Sequence, residues 1–390
     1  MKTLRTVLFA AAAMLLCAVV AFAGGKKEQA PAKLKAGFVY VGPVGDYGWS
    51  NAHDAGRKYA MQKLPWLETV FVESVPEGDS SRIIDRLIQE EKCDVVFTTS
   101  YGYMDDTVKA GERYPDKLFM HCSGFKNSKN VGTYFAELYQ MYYLNGLMAG
   151  ALTKSNKVGY VGAFPTPEVV RHIDAYALGV KETNPKAKVS VKWINAWVGP
   201  TQAREAAEAL IAEGCDALAF TEDTPTVVEV GQEHSKKGQQ VYTFSHYSPM
   251  QTFGPDSVVS GELVDWGIMY EKILTDIHNK TWTNADLWWL AKEKAASLGG
   301  STSEKINAKF VPDLKAVSVT DAKLGKLSVY DLVMKRLEQM SKGREEFDPF
   351  MGPISDNKGT VKIPAGRFGT KEELLSIDYY VDNIVGDIPR

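Results

Sequence analysis

The chain of 390 residues is 45% hydrophobic and 24% charged, and its formal net charge is −3. This is the composition of a globular protein that is long enough to form two domains. The slightly negative balance excludes a strongly basic surface, so we expect no nucleic-acid partner.

The first 23 residues have the pattern of a secretory signal peptide. Two basic residues precede an apolar stretch at 7–20 that is too short to cross a bilayer. Ala21-Phe22-Ala23 is a small-x-small cleavage site, so residues 1–23 are predicted to be removed on export to a periplasmic or other extracytoplasmic location. Cys17 leaves lipid attachment open, but the large Leu16 before it favours cleavage after Ala23.

The next predicted element is a short apolar strand that leads into a loop with unusual side chains. Ala36 to Val41 is the strand, Gly42 to Asn51 is the loop, and Ala52 to Gln62 has a helical pattern. The loop therefore lies at the carboxyl end of a strand, where ligands bind in open α/β sheets. It contains a carboxylate, an amide and two aromatic rings, which a simple turn would not require.

The chain contains two copies of one design. Four apolar runs recur 122 residues later in the same register, and helix-length segments separate them. Alternation of short strands and helices predicts βαβ units with parallel sheets. The matched runs begin at Lys35 and Lys157, Val70 and Lys192, Glu91 and Glu213, and Leu118 and Gln240.

We therefore predict an α/β protein with two Rossmann-like lobes that are joined by a hinge, an arrangement that resembles the type I periplasmic binding proteins. The first lobe is assigned to 34–155, with about 245–264 crossing back to it. The second lobe is assigned to 156–244, with about 265–282. Residues 283–390 are predicted to be an extension that packs on the lobes.

Two such lobes form a cleft between their strand ends, and the repeat predicts which residues reach it. The aromatic residues offer flat faces and the carboxylates accept hydrogen bonds from ring N–H and amino groups, which favours a nucleobase or nucleoside. Asp46 as a turn residue, Asp223 as a helix cap, Trp197 or Trp266 as hinge packing and His246 as an ordinary loop residue remain alternatives. The predicted ligand-binding residues are Asp46, Trp49, Asn51, Ser100, Tyr101, Trp197, Asp223, His246 and Trp266.

Several other kinds of site do not fit the sequence. The spacing of Gly42, Gly45 and Gly48 differs from a dinucleotide-binding loop, and the aromatic residues between them would crowd a pyrophosphate. The six histidines show no metal-ligand spacing. No nucleophile and base can be paired, so we expect no cofactor, no metal and no catalysis.

Asp46 to Gly56 resembles the ligand loop of the basic membrane protein family, which includes purine nucleoside receptors of ABC importers. Asp46, Trp49 and Gly56 match that loop, whereas Ser50 and Tyr47 replace its Asn and Lys. Further similarity to a branch that is thought to take up adenine or related bases lies in Thr99 to Asp105, Tyr160 to Arg171 and Phe347 to Ile354.

The resemblance implies an exported, monomeric solute-binding protein that delivers a purine base or nucleoside to a membrane permease. Nucleoside receptors of the family bind ribose through an Asp and a later Lys. Here Ser245-His-Tyr-Ser and Glu262-Leu-Val-Asp-Trp lack them, which favours a free base. The alternatives are a purine-acting enzyme such as a nucleosidase, a binding protein that feeds a chemoreceptor, and a sugar-binding protein of the same fold.

Overall fold

The computed structural model describes residues 33–389. The predicted signal peptide, Cys17 and the cleavage site after Ala23 lie outside the described residues. The strands are β1 (Leu34–Val39), β2 (Leu67–Val72), β3 (Val95–Thr98), β4 (Leu118–Cys122), β5 (Val131–Ala136), β6 (Lys157–Gly162), β7 (Lys188–Trp193), β8 (Ala217–Thr221), β9 (Tyr242–Tyr247), β10 (Val258–Val264), β11 (Asp286–Trp289), β12 (Ala296–Leu298), β13 (Ser318–Asp321), β14 (Gly325–Ser328), β15 (Ile354–Ser355), β16 (Val361–Ile363) and β17 (Ile384–Val385).

Helices alternate with most of these strands. They are α1 (Trp49–Lys63), α2 (Ser80–Gln89), α3 (Met104–Arg113), α4 (Tyr139–Leu152), α5 (Pro167–Thr183), α6 (Pro200–Ala212), α7 (Thr226–Lys236), α8 (Trp266–His278), α9 (Val311–Ala316), α10 (Val329–Lys342) and α11 (Lys371–Leu375). Among residues 33–389, none of these helices is both long and apolar enough to span a bilayer.

The strands form two main sheets, which define two lobes. The first sheet has the order β11-β5-β4-β3-β1-β2, and all of its neighbours are parallel. The second has the order β12-β10-β9-β8-β6-β7-β17, in which only β12 is antiparallel to its neighbour. Central strands such as β3 and β8 are buried along their whole length, as expected for parallel sheets that helices cover. The predicted α/β class with parallel sheets is confirmed.

The pairing of strands repeats with the spacing of the sequence repeat. Ala36 pairs with Val95 between β1 and β3, and Val158 pairs with Ala217 between β6 and β8. Each partner of the second pair lies 122 residues after its counterpart in the first pair. The two lobes therefore present equivalent strand ends, and equivalent loops, to the space between them.

Segments 245–264 and 265–282 lie in the lobes opposite to those predicted from the sequence. Strand β10 pairs with β9 in the second sheet, whereas α8 packs on α1 in the first lobe, so the two assignments are exchanged. The close fit of α8 on α1 depends on glycine, because a Cβ on Gly56 would lie 2.8 Å from the Cβ of Trp266. Likewise α4, which follows β5, packs on α5 in the second lobe. In each repeat, the helix after the fifth strand belongs to the opposite lobe.

The segment after residue 283 contributes to both lobes. Strand β11 extends the first sheet, and β12 and β17 extend the second. Helix α10 packs on α4, and α11 packs on α5. The chain passes between the lobes after β5, β10 and β11. The crossing segments are joined by hydrogen bonds from Glu137 N to Trp289 O (2.7 Å) and from Asp265 N to Ala295 O (2.8 Å).

Candidate functional site

A narrow cavity lies between the strand ends of the two lobes. The first lobe contributes Val41, Trp49, Ser100, Tyr101 and Ser123 to its wall. The second lobe contributes Glu168, Trp197, Asp223 and Tyr247. Of the predicted site residues, Trp49, Ser100, Tyr101, Trp197 and Asp223 therefore meet in one place.

Asp46 shapes the loop before α1 and does not line this cavity. Its carboxylate accepts hydrogen bonds from the backbone N–H groups of Gly48 (2.8 Å), Asn51 (3.0 Å) and Ser50 (3.2 Å). Burial raises the pKa of Asp46 to about 6, although these hydrogen bonds favour the charged form. Asn51 is also held within the protein, since its amide donates to Val44 O (2.9 Å).

Trp49 and Tyr247 form an aromatic wall on which a flat ligand can rest. The ring centroids of Trp49 and Tyr247 are 5.0 Å apart, and the ring planes are inclined to each other by 64°. The indole N–H of Trp49 donates to Thr99 O, which fixes the orientation of the ring. Trp197, from the second lobe, packs beside Phe164 with ring centroids 5.0 Å apart. The buried Nε1 of Trp197 has no partner among the described residues and is a donor for a ligand acceptor.

Two carboxyl groups, Asp223 and Glu168, line the cavity from the second lobe. Asp223 is buried, and burial together with the charges of Asp46 and Glu222 raises its pKa well above the ordinary range. Burial also raises the pKa of Glu168 to about 7. A buried carboxyl needs a hydrogen-bonding partner: its oxygens accept from ligand N–H groups, and in its protonated form it also donates one hydrogen bond.

The loops of the two lobes touch, so the cleft is closed. Asp223 accepts a hydrogen bond from the backbone N–H of Trp49 across the cleft (3.4 Å). The hydroxyl of Ser248 donates to the side-chain oxygen of Asn51 (3.3 Å). Gly48 fits directly against the other lobe, and a Cβ at that position would lie 2.5 Å from the Cα of Asp223. A residue larger than glycine would collide with the opposite backbone.

Two predicted site residues lie in the interior of the lobes. His246 is fully buried beneath the cavity, with its Nδ1 3.0 Å from Glu262 and 2.7 Å from the hydroxyl of Tyr142. Trp266 is fully buried and stacks on His53 with a centroid distance of 4.3 Å. Both residues shape the lobes that carry the cavity, and neither lines it.

Four cavity residues are absent from the predicted set: Val41, Ser123, Glu168 and Tyr247. Ser123 and Tyr247 follow or end the equivalent strands β4 and β9, and both have a positive φ, 65° and 61°. Glu168 follows Pro167 at the start of α5, where Thr166 caps the helix. The repeat could have indicated Ser123 and Tyr247, and the Thr-Pro-Glu helix start could have indicated Glu168.

Residues 33–389 contain no group of three or more His, Cys, Asp or Glu side chains that could hold a metal ion. Cys93, Cys122 and Cys215 are buried and form no disulfide. The site is therefore built from aromatic rings, hydroxyls and carboxyls.

Glu222 is expected to make the stability of the protein depend on pH. Burial raises its pKa from 4.5 to about 8, with a further contribution from the charge of Asp46. The stability that the proton on Glu222 contributes is complete below the pKa of this residue in the unfolded chain. It is lost as the pH rises through the pKa of the same residue in the folded protein. Glu222→Gln cannot ionise. The melting temperature of this variant minus that of the unmodified protein should therefore increase as the pH rises from about 5 to about 9.

Differential scanning calorimetry at several pH values measures this difference. Glu233→Gln is a suitable control because Glu233 is exposed and its pKa is lowered by Arg204. A constant difference between Glu222→Gln and the unmodified protein at all pH values would contradict the buried, protonated carboxyl.

The sequence model of the Bmp family, described as ABC transporter substrate-binding protein PnrA-like, matches residues 33–321. The chain is 32% identical to a purine-binding protein of Brucella abortus over 379 residues, 97% of this chain and 100% of that protein. It is 40% identical to a putative ABC transporter glucose-binding protein of Haloferax volcanii over 256 residues, 66% of this chain and 64% of that protein.

The fold is similar to that of a solved ABC transporter solute-binding protein from Aeropyrum pernix K1. The TM-score is 0.67 at 15% sequence identity, over 83% of this chain and 93% of that chain. At this identity the likeness concerns the fold, two α/β lobes around a cleft, which is the type I periplasmic binding protein architecture.

Proposed function

We propose that this chain, which belongs to the Bmp family of PnrA-like ABC transporter substrate-binding proteins, binds a purine base in the cavity between the lobes. Members of this family bind a small molecule for a membrane permease and act outside the cytoplasm; they are not enzymes. The resemblance to the basic membrane protein family is thus confirmed.

One observation carries the purine proposal: the cavity combines flat aromatic walls with carboxyl groups. Trp49 and Tyr247 offer ring faces, and stacking contributes about 0.5–1.5 kcal/mol per pair beyond burial. Asp223 and Glu168 offer carboxyl oxygens that can hydrogen-bond to the edge of the ring, and a hydrogen bond contributes about 0.5–1.5 kcal/mol. A purine satisfies both, because it is flat and carries N–H donors in the plane of its ring.

The names of two relatives support different ligands. The Brucella abortus relative is named as purine-binding and spans nearly the whole chain, which supports a purine. The Haloferax volcanii relative is named as a putative glucose-binding protein, and this makes a sugar the second candidate. Sugars also stack on tryptophan, so Trp49 alone does not distinguish the two ligand classes.

Ligand binding and closure of the two lobes are expected to be coupled. The contacts of Asp223 with Trp49 and of Ser248 with Asn51 exist only when the lobes meet. A ligand that touches both lobes therefore stabilises the closed form, which we propose is the form that the permease recognises. We further propose that the protein is monomeric and is exported by the signal peptide at 1–23, with lipid attachment at Cys17 as the alternative.

A thermal-shift screen tests the proposed ligand class. The screen compares adenine, guanine, hypoxanthine, their nucleosides, glucose and arabinose at equal concentration. A purine base at a hundredfold excess over Kd should stabilise the protein by about 2.7 kcal/mol. Stabilisation by a sugar, with no response to any purine, would overturn the proposal in favour of the second candidate.

A further inference from the structure

Three buried carboxyl groups lie where the loops of the two lobes meet. Asp46 belongs to the loop before α1 in the first lobe and is 6% exposed. Glu222 and Asp223 follow β8 in the second lobe and are 0% and 2% exposed. We call these three residues the interlobe carboxyl cluster. Carboxyl groups are almost never buried this completely without a cation as partner, so the cluster requires a physical reason.

Two members of the cluster reach the N-terminus of α1 from opposite lobes. Asp46 accepts hydrogen bonds from three backbone N–H groups within residues 48–51, and the shortest, from Gly48, is 2.8 Å. Asp223 accepts a hydrogen bond from the N–H of Trp49 in the same turn (3.4 Å). The partial positive charge of a helix N-terminus stabilises one negative charge, but two carboxylates at the same terminus repel each other.

The groups that face the cluster do not compensate its charge. Among residues 33–389, none of the three carboxyls forms an ion pair, and Glu222 has neutral partners in the N–H (3.1 Å) and hydroxyl (2.8 Å) of Thr224. Arg171 acts on the neighbouring Glu168, but it is already paired with Glu137 at 2.8 Å. The other titratable groups around the cluster are acidic or phenolic: Glu73 after β2, Glu168 on α5, Glu229 on α7 and Tyr247 at the end of β9.

The carboxyl of the first lobe acts on both carboxyls of the second lobe. Burial raises the pKa of Asp46 to about 6. Burial also raises the pKa of Glu222 to about 8, with a further contribution from the charge of Asp46. Burial, followed by the charge of Asp46, raises the pKa of Asp223 well above its ordinary range. The protonation of the cluster therefore depends on how close the two lobes are.

Opening of the lobes separates the members of the cluster. The hydrogen bond from Trp49 to Asp223, and the contact of Gly48 with the backbone of Asp223, exist only in the closed protein. When these contacts break, water reaches Asp223 and Asp46 moves away from it, so the pKa of each group falls towards its ordinary range. The closed form therefore binds more protons than the open form.

The direction of the pH dependence follows from this difference in bound protons. The stabilisation of the closed form by protons is complete below the pKa of the carboxyls in the open form. It is lost as the pH rises through their higher pKa in the closed form, which places the change between about pH 4 and about pH 8.

We propose that closure of the lobes takes up a proton from the solvent, so that the protein captures its ligand more tightly at acidic than at alkaline pH. In the closed form two carboxyl groups from opposite lobes share one helix N-terminus, and the proton removes their repulsion. This inference goes beyond the proposed function, because it concerns the closure of the lobes and not the identity of the ligand.

Isothermal titration calorimetry with adenine at about pH 5.5 and about pH 8 measures this coupling. The Kd of the unmodified protein should rise at least about tenfold over this interval. Titrations near pH 7 in two buffers of different ionisation enthalpy should show that a proton is taken up on binding. In Asp46→Asn the first lobe contributes no charge to the cluster, so the Kd should change less than about threefold.

Glu233→Gln is the control for the Asp46 variant. It removes an exposed carboxyl of the second lobe that is paired with Arg204, so the Kd should keep its full pH dependence. The titration of adenine itself is common to all of these proteins and cancels in the comparison. Glu222→Gln covers the case in which Asp46→Asn does not fold. It does not line the ligand cavity, and it should also reduce the pH dependence of the Kd.

Small-angle X-ray scattering of the ligand-free protein tests the inference without a ligand. The radius of gyration should be smaller at about pH 5.5 than at about pH 8, and Glu222→Gln should reduce this difference. An equal Kd for adenine at both pH values, or a pH dependence that both variants retain in full, would overturn the inference and leave the purine proposal intact. If no purine binds, the proposed function fails, and equal radii of gyration at the two pH values would then overturn the inference as well.

Discussion

Gly48→Ala should weaken ligand binding at least about tenfold, or about 1.4 kcal/mol, because it prevents the lobes from closing. The added Cβ would lie 2.5 Å from the Cα of Asp223 and 2.7 Å from its carbonyl atoms. These are backbone atoms, so no change of rotamer relieves the collision. Calorimetric titration measures the affinity, and small-angle X-ray scattering measures the ligand-induced decrease in the radius of gyration, which the variant should lose.

Gly45→Ala in the same loop is the matched control. A Cβ at Gly45 has no atom within 4 Å, so this variant should bind and compact like the unmodified protein. Tight binding and normal compaction by Gly48→Ala would show that ligand capture does not require the contact between Gly48 and Asp223.

Arg171→Leu should destabilise the fold by about 3–5 kcal/mol, because it leaves the buried carboxylate of Glu137 without its main partner. Glu137 is fully buried where the chain first crosses between the lobes. It contacts Arg171 (2.8 Å) and His172 (3.2 Å), and it accepts a hydrogen bond from Trp288 (2.9 Å). Burial alone would raise the pKa of Glu137, but Arg171 and His172 lower it to about 2. Urea unfolding measures the loss.

Arg204→Leu is the control for the Arg171 variant. Its ion pair with Glu233 spans a similar distance, 2.9 Å, but both side chains are more than 40% exposed. Breaking such a pair should change stability by only about 0–1 kcal/mol. Combining Arg171→Leu with Glu137→Leu should recover part of the loss, because no uncompensated charge remains. Similar losses for Arg171→Leu and Arg204→Leu would contradict a structural role for the buried pair.

The sequence predicts the two sheets well, because short apolar runs in one register leave few other arrangements. It does not predict which lobe carries the helix after each fifth strand. That choice depends on long-range packing: α8 fits on α1 through Gly56, and α4 fits on α5 through Gly146, where a Cβ would lie 2.1 Å from Tyr176 O. Neither fit can be read from one segment alone, which explains why 245–264 and 265–282 were assigned to the wrong lobes.

The sequence also does not determine which single residues of the candidate site line the cavity. Neighbouring side chains on a strand point to opposite faces, so a shift of one position decides between cavity and core. On β9, Tyr247 lines the cavity and His246 lies beneath it. The sequence indicates that a polar and aromatic group lies at this strand end, but not which of the two faces the ligand. The sequence likewise does not determine whether Asp46 contacts the ligand or shapes the loop. Its hydrogen bonds with the backbone of Gly48 and Ser50 show that it shapes the loop.

A calorimetric titration of the unmodified protein with adenine and with glucose determines whether a purine is bound between the lobes. We predict saturable binding of one adenine per chain and no heat of binding with glucose. Saturable binding of glucose, without binding of adenine or any other purine, would show that the cavity between the lobes is not a purine site.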